Sequence, residues 1–311
     1  MARPLSVAIV GARTVRQGTG PWFAKHFAAA GADVCGILGT SINSAAAAQD
    51  ELQQRFGLAV PAHASWDEML AACHPDMVAI ATPADTHRDY LWKAHAAGIP
   101  VFVEKPFIWD EQRDNVSDTQ ELVTAFENTR LPLYINTQWL ETLSTFQQLY
   151  PECDLQDINS FEMLLSPTSS GSNMVIDALP HAWSMLLKLV GPGELRSLKR
   201  THAADGQLTL AGEFEGHNGI TQFSFEMKRC PEQPRPFAYS INGCRVDRVL
   251  DLEDYSMSFS AAGRCAPLRD PLAARIEKVL TLISQNAYNN ALRQQVLETR
   301  LLKQSIEVST A

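Results

Sequence analysis

Residues 5–10 read LSVAIV, an unbroken apolar run that stops at Gly11 and gives way to a glycine-bearing loop and then a helix. A short strand that is apolar on both faces is covered on both faces, as strands inside a parallel sheet are. Gly20 ends the loop and Pro21 opens the stretch PWFAKHFAAAG, where proline at the first helical position forfeits no hydrogen bond. Gly31 closes that helix, and ADVCGIL follows as a second strand. A strand, a crossover helix and a second buried strand commit the chain to a parallel sheet with helices packed against it.

The alternation continues. A helix over SAAAAQDELQQRFG and another over WDEMLAAC precede the strand MVAIATP. Then come the helix HRDYLWKAHAAG, the strand IPVFVEKP, the helix SDTQELVTAFENT and the strand LPLYINTQ. Beyond about residue 140 the rhythm changes. DINSFEMLL, QLTLAGEFEG, GITQFSFEMK and CRVDRVLDL read as successive strands, interrupted by one helix near MVIDALPHAWSMLLKLV and followed by two C-terminal helices. The expected fold is a doubly wound parallel α/β sheet over residues 1–125. An α+β domain with a largely antiparallel open sheet follows over 126–311, its C-terminal helices able to pack back on the first domain.

A length of 311 residues suits two domains. A formal net charge of −9 argues against a nucleic-acid partner, which would call for a basic stripe. No apolar run reaches the roughly 20 residues that cross a bilayer, and the start MARPLSVAIVGA does not read as a signal peptide. A cytoplasmic protein with no membrane partner is expected. The six cysteines show no CxxC spacing and the histidines no metal-ligand spacing, so neither a disulfide framework nor a metal is expected.

Gly11 stands where the first glycine of a dinucleotide-binding (Rossmann) loop belongs, allowing a tight turn that aims a helix N-terminus at a pyrophosphate. The usual G-x-G-x-x-G is absent: Arg13 and Arg16 replace its second and third glycines, and Gly18 and Gly20 come later, in a lengthened loop. An NAD site places an acid at the end of the second strand to hold the ribose hydroxyls. This chain has Leu38-Gly39-Thr40-Ser41 there. The hydroxyls of Thr40 and Ser41, with Arg13 or Arg16, would suit a 2′-phosphate, so NADP(H) is expected over NAD(H). The same two hydroxyls could instead simply cap the following helix.

The stretch from Asp76 to Phe107 has a strand ending Ala81-Thr82-Pro83, His87 four residues on, a helix closing at Gly98 and a strand ending Glu104-Lys105-Pro106. In that order and spacing it resembles the Gfo/Idh/MocA family of NAD(P)-dependent oxidoreductases. The resemblance is close through residues 5–140 and looser beyond. It implies that Thr82, Pro83, His87, Glu104, Lys105 and Pro106 line the cofactor. Lys105 would reach the reacting oxygen, and the Lys105–Pro106 bond is cis in many members. It also implies substrate contacts from Asn136, Gln138 and Trp139, with interdomain packing equally open to Trp139.

Asp177 and His181 match a family pair, and the resemblance makes Lys105, Asp177 and His181 the catalytic set. Four-residue spacing puts both on one face of a helix, although Pro180 predicts that the helix proper begins near His181. Where the family has glycines before that aspartate, this chain has Ser169-Ser170-Gly171-Ser172-Asn173, so the substrate pocket differs in shape.

The expected activity is hydride transfer between nicotinamide C4 and a small polar substrate, a sugar, polyol or keto/hydroxy compound, held at the domain cleft. The alternatives are a biosynthetic imine or keto reductase and, in another class, a non-catalytic sensor of a nucleotide or ligand. An exposed β face with FSFEM-like alternation predicts a homodimer or homotetramer.

Overall fold

The computed structural model describes residues 3–14, 18–202, 206–285, 287–288 and 291–308. They form two compact units, residues 1–136 with 272–296, and residues 137–271 with 297–311.

The first unit holds six parallel strands, β1 (Ser6–Val10), β2 (Asp33–Leu38), β3 (Ala62–His63), β4 (Met77–Ile80), β5 (Val101–Val103) and β6 (Leu133–Ile135). Their order is β3-β2-β1-β4-β5-β6. The connecting helices are α1 (Gly20–Ala29), α2 (Ile42–Phe56), α3 (Trp66–Cys73), α4 (Ala84–Ala96) and α5 (Asn115–Thr129). Alternation along β1 sends Val7 and Ile9 into one core with Phe23 and Phe27 of α1, and Ala8 and Val10 into another with Leu91 and Leu122. Both faces are therefore covered, as the apolar run LSVAIV requires. Leu272, Ile276, Val279 and Ile283 complete the first of these cores. The unit runs on to Asn136, past the boundary at 125 expected from the sequence, because β6 hydrogen-bonds β5 as the last strand of the sheet.

Strand order reverses between β1 and β4, whose carboxyl ends form the switch point at which open α/β sheets bind ligands. The opposite ends of these two strands are locked by Asp76. Its carboxylate accepts from the Ser6 backbone N–H at 2.8 Å and from both Arg3 terminal nitrogens at 2.8 and 2.7 Å. Burial opposes ionisation of Asp76, but the Ser6 and Arg3 donors outweigh it and hold the carboxyl below its usual range. A depressed native pKa contributes stability above the unfolded carboxylate value, near pH 4, that is lost as pH falls through the native value. Asp76→Asn is therefore expected to cost about 1–2 kcal/mol at pH 7. Urea unfolding should show the gap to wild type closing below about pH 3; a gap constant with pH would reject the role.

The second unit opens with a 3-10 turn, Gln138–Thr142, and helix α6 (Leu143–Leu149). It continues with β7 (Ser160–Leu165), helix α7 (Ser172–Val190), β8 (Glu194–His202), β9 (Leu208–Gly216), β10 (Gly219–Met227), β11 (Ala238–Ile241), β12 (Cys244–Leu250), β13 (Met257–Ala261) and β14 (Arg264–Leu268). The sheet order is β14-β13-β12-β11-β7-β10-β9-β8. Only β7 and β10 pair in parallel; every other neighbouring pair is antiparallel.

Helix α7 covers the apolar face of this sheet, with the Trp183 ring 5.1 Å from Phe223 and 5.0 Å from Phe225. The FSFEM alternation is thus satisfied within the unit, and the opposite face of β10 carries Gln222, Ser224 and Glu226. That face also carries Ile220, which is exposed. Helix α7 also corrects the reading of Pro180, which lies inside the helix rather than at its start. Proline lacks the N–H that would bond one turn back and crowds that carbonyl. Thirteen buried residues of α7, Trp183 and Met185 among them, offset the loss. Among the described residues no helix is long and apolar enough to cross a membrane.

Candidate active site

Gly11 follows β1 with φ +86°, a left-handed conformation that side chains strain to adopt. Its N–H donates to the Leu38 carbonyl at 3.0 Å, tying the loop to the end of β2. A Cβ on Gly11 would lie 2.8 Å from Thr82 Cγ2 and 3.0 Å from the Ala81 carbonyl oxygen. A Cβ on Gly20 would fall onto the Gly11 carbonyl oxygen and lie 2.8 Å from Ala12 Cα. The lengthened loop therefore brings the start of α1 back against the end of β1, the closeness that a shorter glycine loop provides. The Thr19 side chain at the start of α1 makes no capping hydrogen bond. Such an end attracts an anion.

The loop has an anchor that the sequence reading missed. Glu51 of α2 accepts from the Thr14 hydroxyl at 2.8 Å and from Arg55 at 2.8 Å. Burial raises the Glu51 carboxyl, and the Arg55 and Thr14 bonds overcome this to hold it below its usual range. Arg13 is exposed beside this segment, whereas Arg16 lies outside the described residues. Gly18 is described and half-buried. At the β2–α2 turn the Ser41 hydroxyl accepts from the Ser44 N–H at 3.2 Å, so it caps α2, while Thr40 Oγ1 lies 3.3 Å from Ser44 Oγ. No carboxylate stands at Leu38–Ser41.

Thr82 and Pro83 lead into α4, and the Thr86 hydroxyl donates to Thr82 Oγ1 at 2.7 Å. His87 belongs behind this loop rather than in the cofactor contacts expected of it. It is fully buried, with Nε2 2.7 Å from the Thr82 carbonyl and Nδ1 3.0 and 3.1 Å from the carbonyls of Pro106 and Phe107. Burial lowers its proton affinity against the pull of these carbonyls. Its ring ties the Thr82–Pro83 loop to the segment after β5 and presents no atom to a ligand.

That segment carries Glu104, Lys105 and Pro106, with the Lys105–Pro106 bond cis. Glu104 is buried and uses both carboxylate oxygens. Oε2 accepts the Lys105 backbone N–H and Oε1 accepts Asn136 Nδ2, each at 2.8 Å. The Lys105 side chain is half-buried. Asn136 Oδ1 is buried and accepts no hydrogen bond from the described residues. Arg275, also missed from sequence, fixes the end of β6 through a 2.9 Å bond to the Ile135 carbonyl.

In the second unit Asp177 and His181 occupy successive turns of α7. Asp177 is exposed and accepts from the Ser169 hydroxyl. Ser169, in the segment before the helix, therefore engages the aspartate directly. His181 is 9% exposed, its ring edge-on to Trp139 at 6.3 Å. Trp139 follows Gln138 in the 3-10 turn and stacks on Phe237 at 3.7 Å and 17°. It packs within this unit. Arg248, 5.6 Å above the Trp139 ring, went unremarked in the sequence.

The sheet order, the left-handed glycine at the switch point and the uncapped helix facing it define a dinucleotide-binding domain of the Rossmann class. Comparison with known proteins makes this specific: residues 5–137 match the model of the oxidoreductase family with an NAD-binding Rossmann fold, Gfo/Idh/MocA. Over those residues the chain is accordingly similar to the NAD-binding domain of the Gfo/Idh/MocA oxidoreductases. Solved structures share the fold over nearly the whole length. UDP-N-acetylglucosamine 3-dehydrogenase from Acidithiobacillus ferrooxidans aligns at 20% identity and TM-score 0.70, covering 99% of each chain. Levoglucosan dehydrogenase in complex with NADH and levoglucosan aligns at 16% and 0.71, covering 97% of each. The oxidoreductase from Agrobacterium radiobacter in complex with NAD+, L-tartaric acid and magnesium aligns at 14% and 0.68, covering 97% of this chain and 96% of that one. No curated protein matches the chain in sequence.

Proposed function

We propose that the chain is a dehydrogenase or reductase of a small polar substrate bearing a carbonyl or hydroxyl, with NADP(H) preferred. When bound, the nicotinamide supplies or accepts the hydride. The observation that carries the reading is the approach of Gly20 and Thr82 to Gly11, a cradle that a single Cβ would fill. It suits a pyrophosphate set against the bare N-terminus of α1.

Thr82 and Pro83, held from behind by His87, wall the nicotinamide side. Lys105 donates a hydrogen bond, and in reduction a proton, to the reacting oxygen, and the bonded Glu104 and Asn136 position it. Asn136 Oδ1, buried without a donor, offers an acceptor to cofactor or substrate. His181 is the second proton-handling group, being the side chain that titrates near neutral pH, and Asp177 binds substrate with Ser169. Gln138 and Trp139 complete the substrate contacts. The sugar substrates named for two of the similar structures agree with a polyhydroxylated ligand.

The NADP(H) preference rests on the missing acid at Leu38–Ser41, with Thr40 and Arg13 available to a 2′-phosphate. NAD(H) is the second reading, favoured by use of the Ser41 hydroxyl as a helix cap. Titration of the purified protein with NADPH and with NADH, read by tryptophan fluorescence, tests both. Micromolar NADPH binding at least about tenfold tighter than NADH is expected, a gap of about 1.4 kcal/mol. Equal affinities would assign NAD(H) without preference, and no binding of either would overturn the proposal.

A further inference from the structure

Two arginines of the second unit lie together with donors that nothing among the described residues accepts. Arg248 is on β12, and the period of two along a strand puts it on the same face as Val246, which is fully buried. Its Nη2 donates to the Arg235 carbonyl at 2.6 Å, while its Nε is buried with no acceptor. Arg235, in the segment leading to β11, also has a buried Nε with no acceptor. The Arg248 guanidinium lies 5.6 Å from the Trp139 ring and 5.8 Å from Phe237, the stacked pair. Trp139 in turn meets His181 edge-on.

A packing role explains part of this. An arginine over an aromatic ring gains about 0.5–2 kcal/mol from the contact, and its stem covers apolar surface. Packing does not explain a second guanidinium beside the first, nor two buried donors aimed at no acceptor. An unmade hydrogen bond from a buried group costs about 1–3 kcal/mol, more for a charged one. The charges acting on Arg248 are the like charge of Arg235 and the opposite charge of Asp270. One carboxylate against two guanidiniums leaves one positive charge unbalanced. Burial, then Arg235, pull Arg248 below the ordinary guanidinium range, with Asp270 opposing. An anion would supply both the missing acceptor and the missing charge. The planar fork of arginine fits the paired oxygens of a carboxylate or a phosphate.

We propose that Arg235 and Arg248, on the Trp139–Phe237 platform, bind an anionic group of the substrate, a carboxylate or a phosphate. The proposal rests on the reading of His181 as a substrate-site residue, since Trp139 links the two. It deepens that reading by making the substrate a hydroxy or keto acid, or a phosphorylated sugar or polyol, rather than a neutral polyol.

The test is titration of the full-length protein with inorganic phosphate and, separately, with acetate, at constant ionic strength. Tryptophan fluorescence and the thermal midpoint are the readouts. Wild type is expected to saturate with at least one anion in the millimolar range, phosphate alone marking a phosphate subsite and acetate a carboxylate subsite. Arg248→Met and Arg235→Met should each weaken that binding by about tenfold or more. Arg248→Lys should keep part of it, since the charge stays and the fork is lost. Saturation that survives both methionine variants belongs elsewhere, for instance at the α1 N-terminus, and overturns the proposal, as does no saturation in wild type. Circular dichroism checks the fold, and Arg235→Met, in a segment outside the strands, serves should Arg248→Met not fold. NADPH titration of the same samples reads the first unit independently. Its failure would count against the proposed function and leave the anion result standing.

Discussion

Lys105→Ala is expected to cut turnover by roughly 10²-fold or more while leaving NAD(P)H affinity within about tenfold of wild type, the loss typical of removing an acid–base group. The separation follows from how the residue is held. Its backbone N–H bonds to Glu104, and Glu104 is also fixed by Asn136. Truncation therefore leaves these backbone and carboxylate bonds in place while it removes the ammonium and its stem. Lys105→Met, which keeps the stem and its packing, should behave like alanine in turnover; a methionine variant near wild-type rate would show that Lys105 is structural. The pH profile adds a readout that packing would not move. If Lys105 donates the proton in reduction, the kcat–pH profiles of wild type and variant should differ in shape.

The parts of this fold legible in sequence are those in which one element carries its own signal. LSVAIV ending at Gly11 is such a case, because a doubly buried strand has no polar face and the turn after it has few residue choices. What is not legible depends on partners distant in the chain. Nothing local announces that Gly20 returns to Gly11 after an eight-residue detour, since that contact is set by the packing of Phe23 and Phe27 against the sheet. The parallel pairing of β7 with β10, across an intervening helix and two strands, is likewise a property of the assembled sheet. Pro180 shows a local rule overridden: the proline signal for a helix start is real, but burial of one whole side of α7 outweighs it.

The candidate site divides the same way. Lys105, Asp177 and His181 became candidates through spacing and resemblance, whereas Glu51, Arg275, Arg235 and Arg248 did not, because the contacts that single them out lie far along the chain. Arg248 did carry a signal. In CRVDRVL the strand period puts Arg245 and Asp247 together on one face, where they pair at 2.8 Å, and leaves Arg248 beside Val246 on the other. A cation on the core face of a strand asks for a partner.

Gly20→Ala is the second change with a large expected effect, a loss of NAD(P)H affinity of about 10²-fold or more with the fold retained. The added methyl meets the Gly11 carbonyl and Ala12 Cα, both backbone, so relief comes only by moving α1 away from the end of β1. That displacement carries the helix N-terminus out of reach of a pyrophosphate seated on the Gly11 turn. Phe23, Ala24 and Phe27 remain buried in the first core and hold the helix to the sheet, so circular dichroism should change little. Gly31→Ala separates this blockade from simple backbone strain. Gly31 has φ +84°, similar to Gly11, but a Cβ there meets nothing within 4 Å. Its substitution should cost about 1 kcal/mol of stability, the penalty of a left-handed alanine, and leave cofactor binding at the wild-type value. Wild-type affinity in Gly20→Ala would mean that the dinucleotide does not lie against this loop, because no other path relieves the contact without opening the cradle.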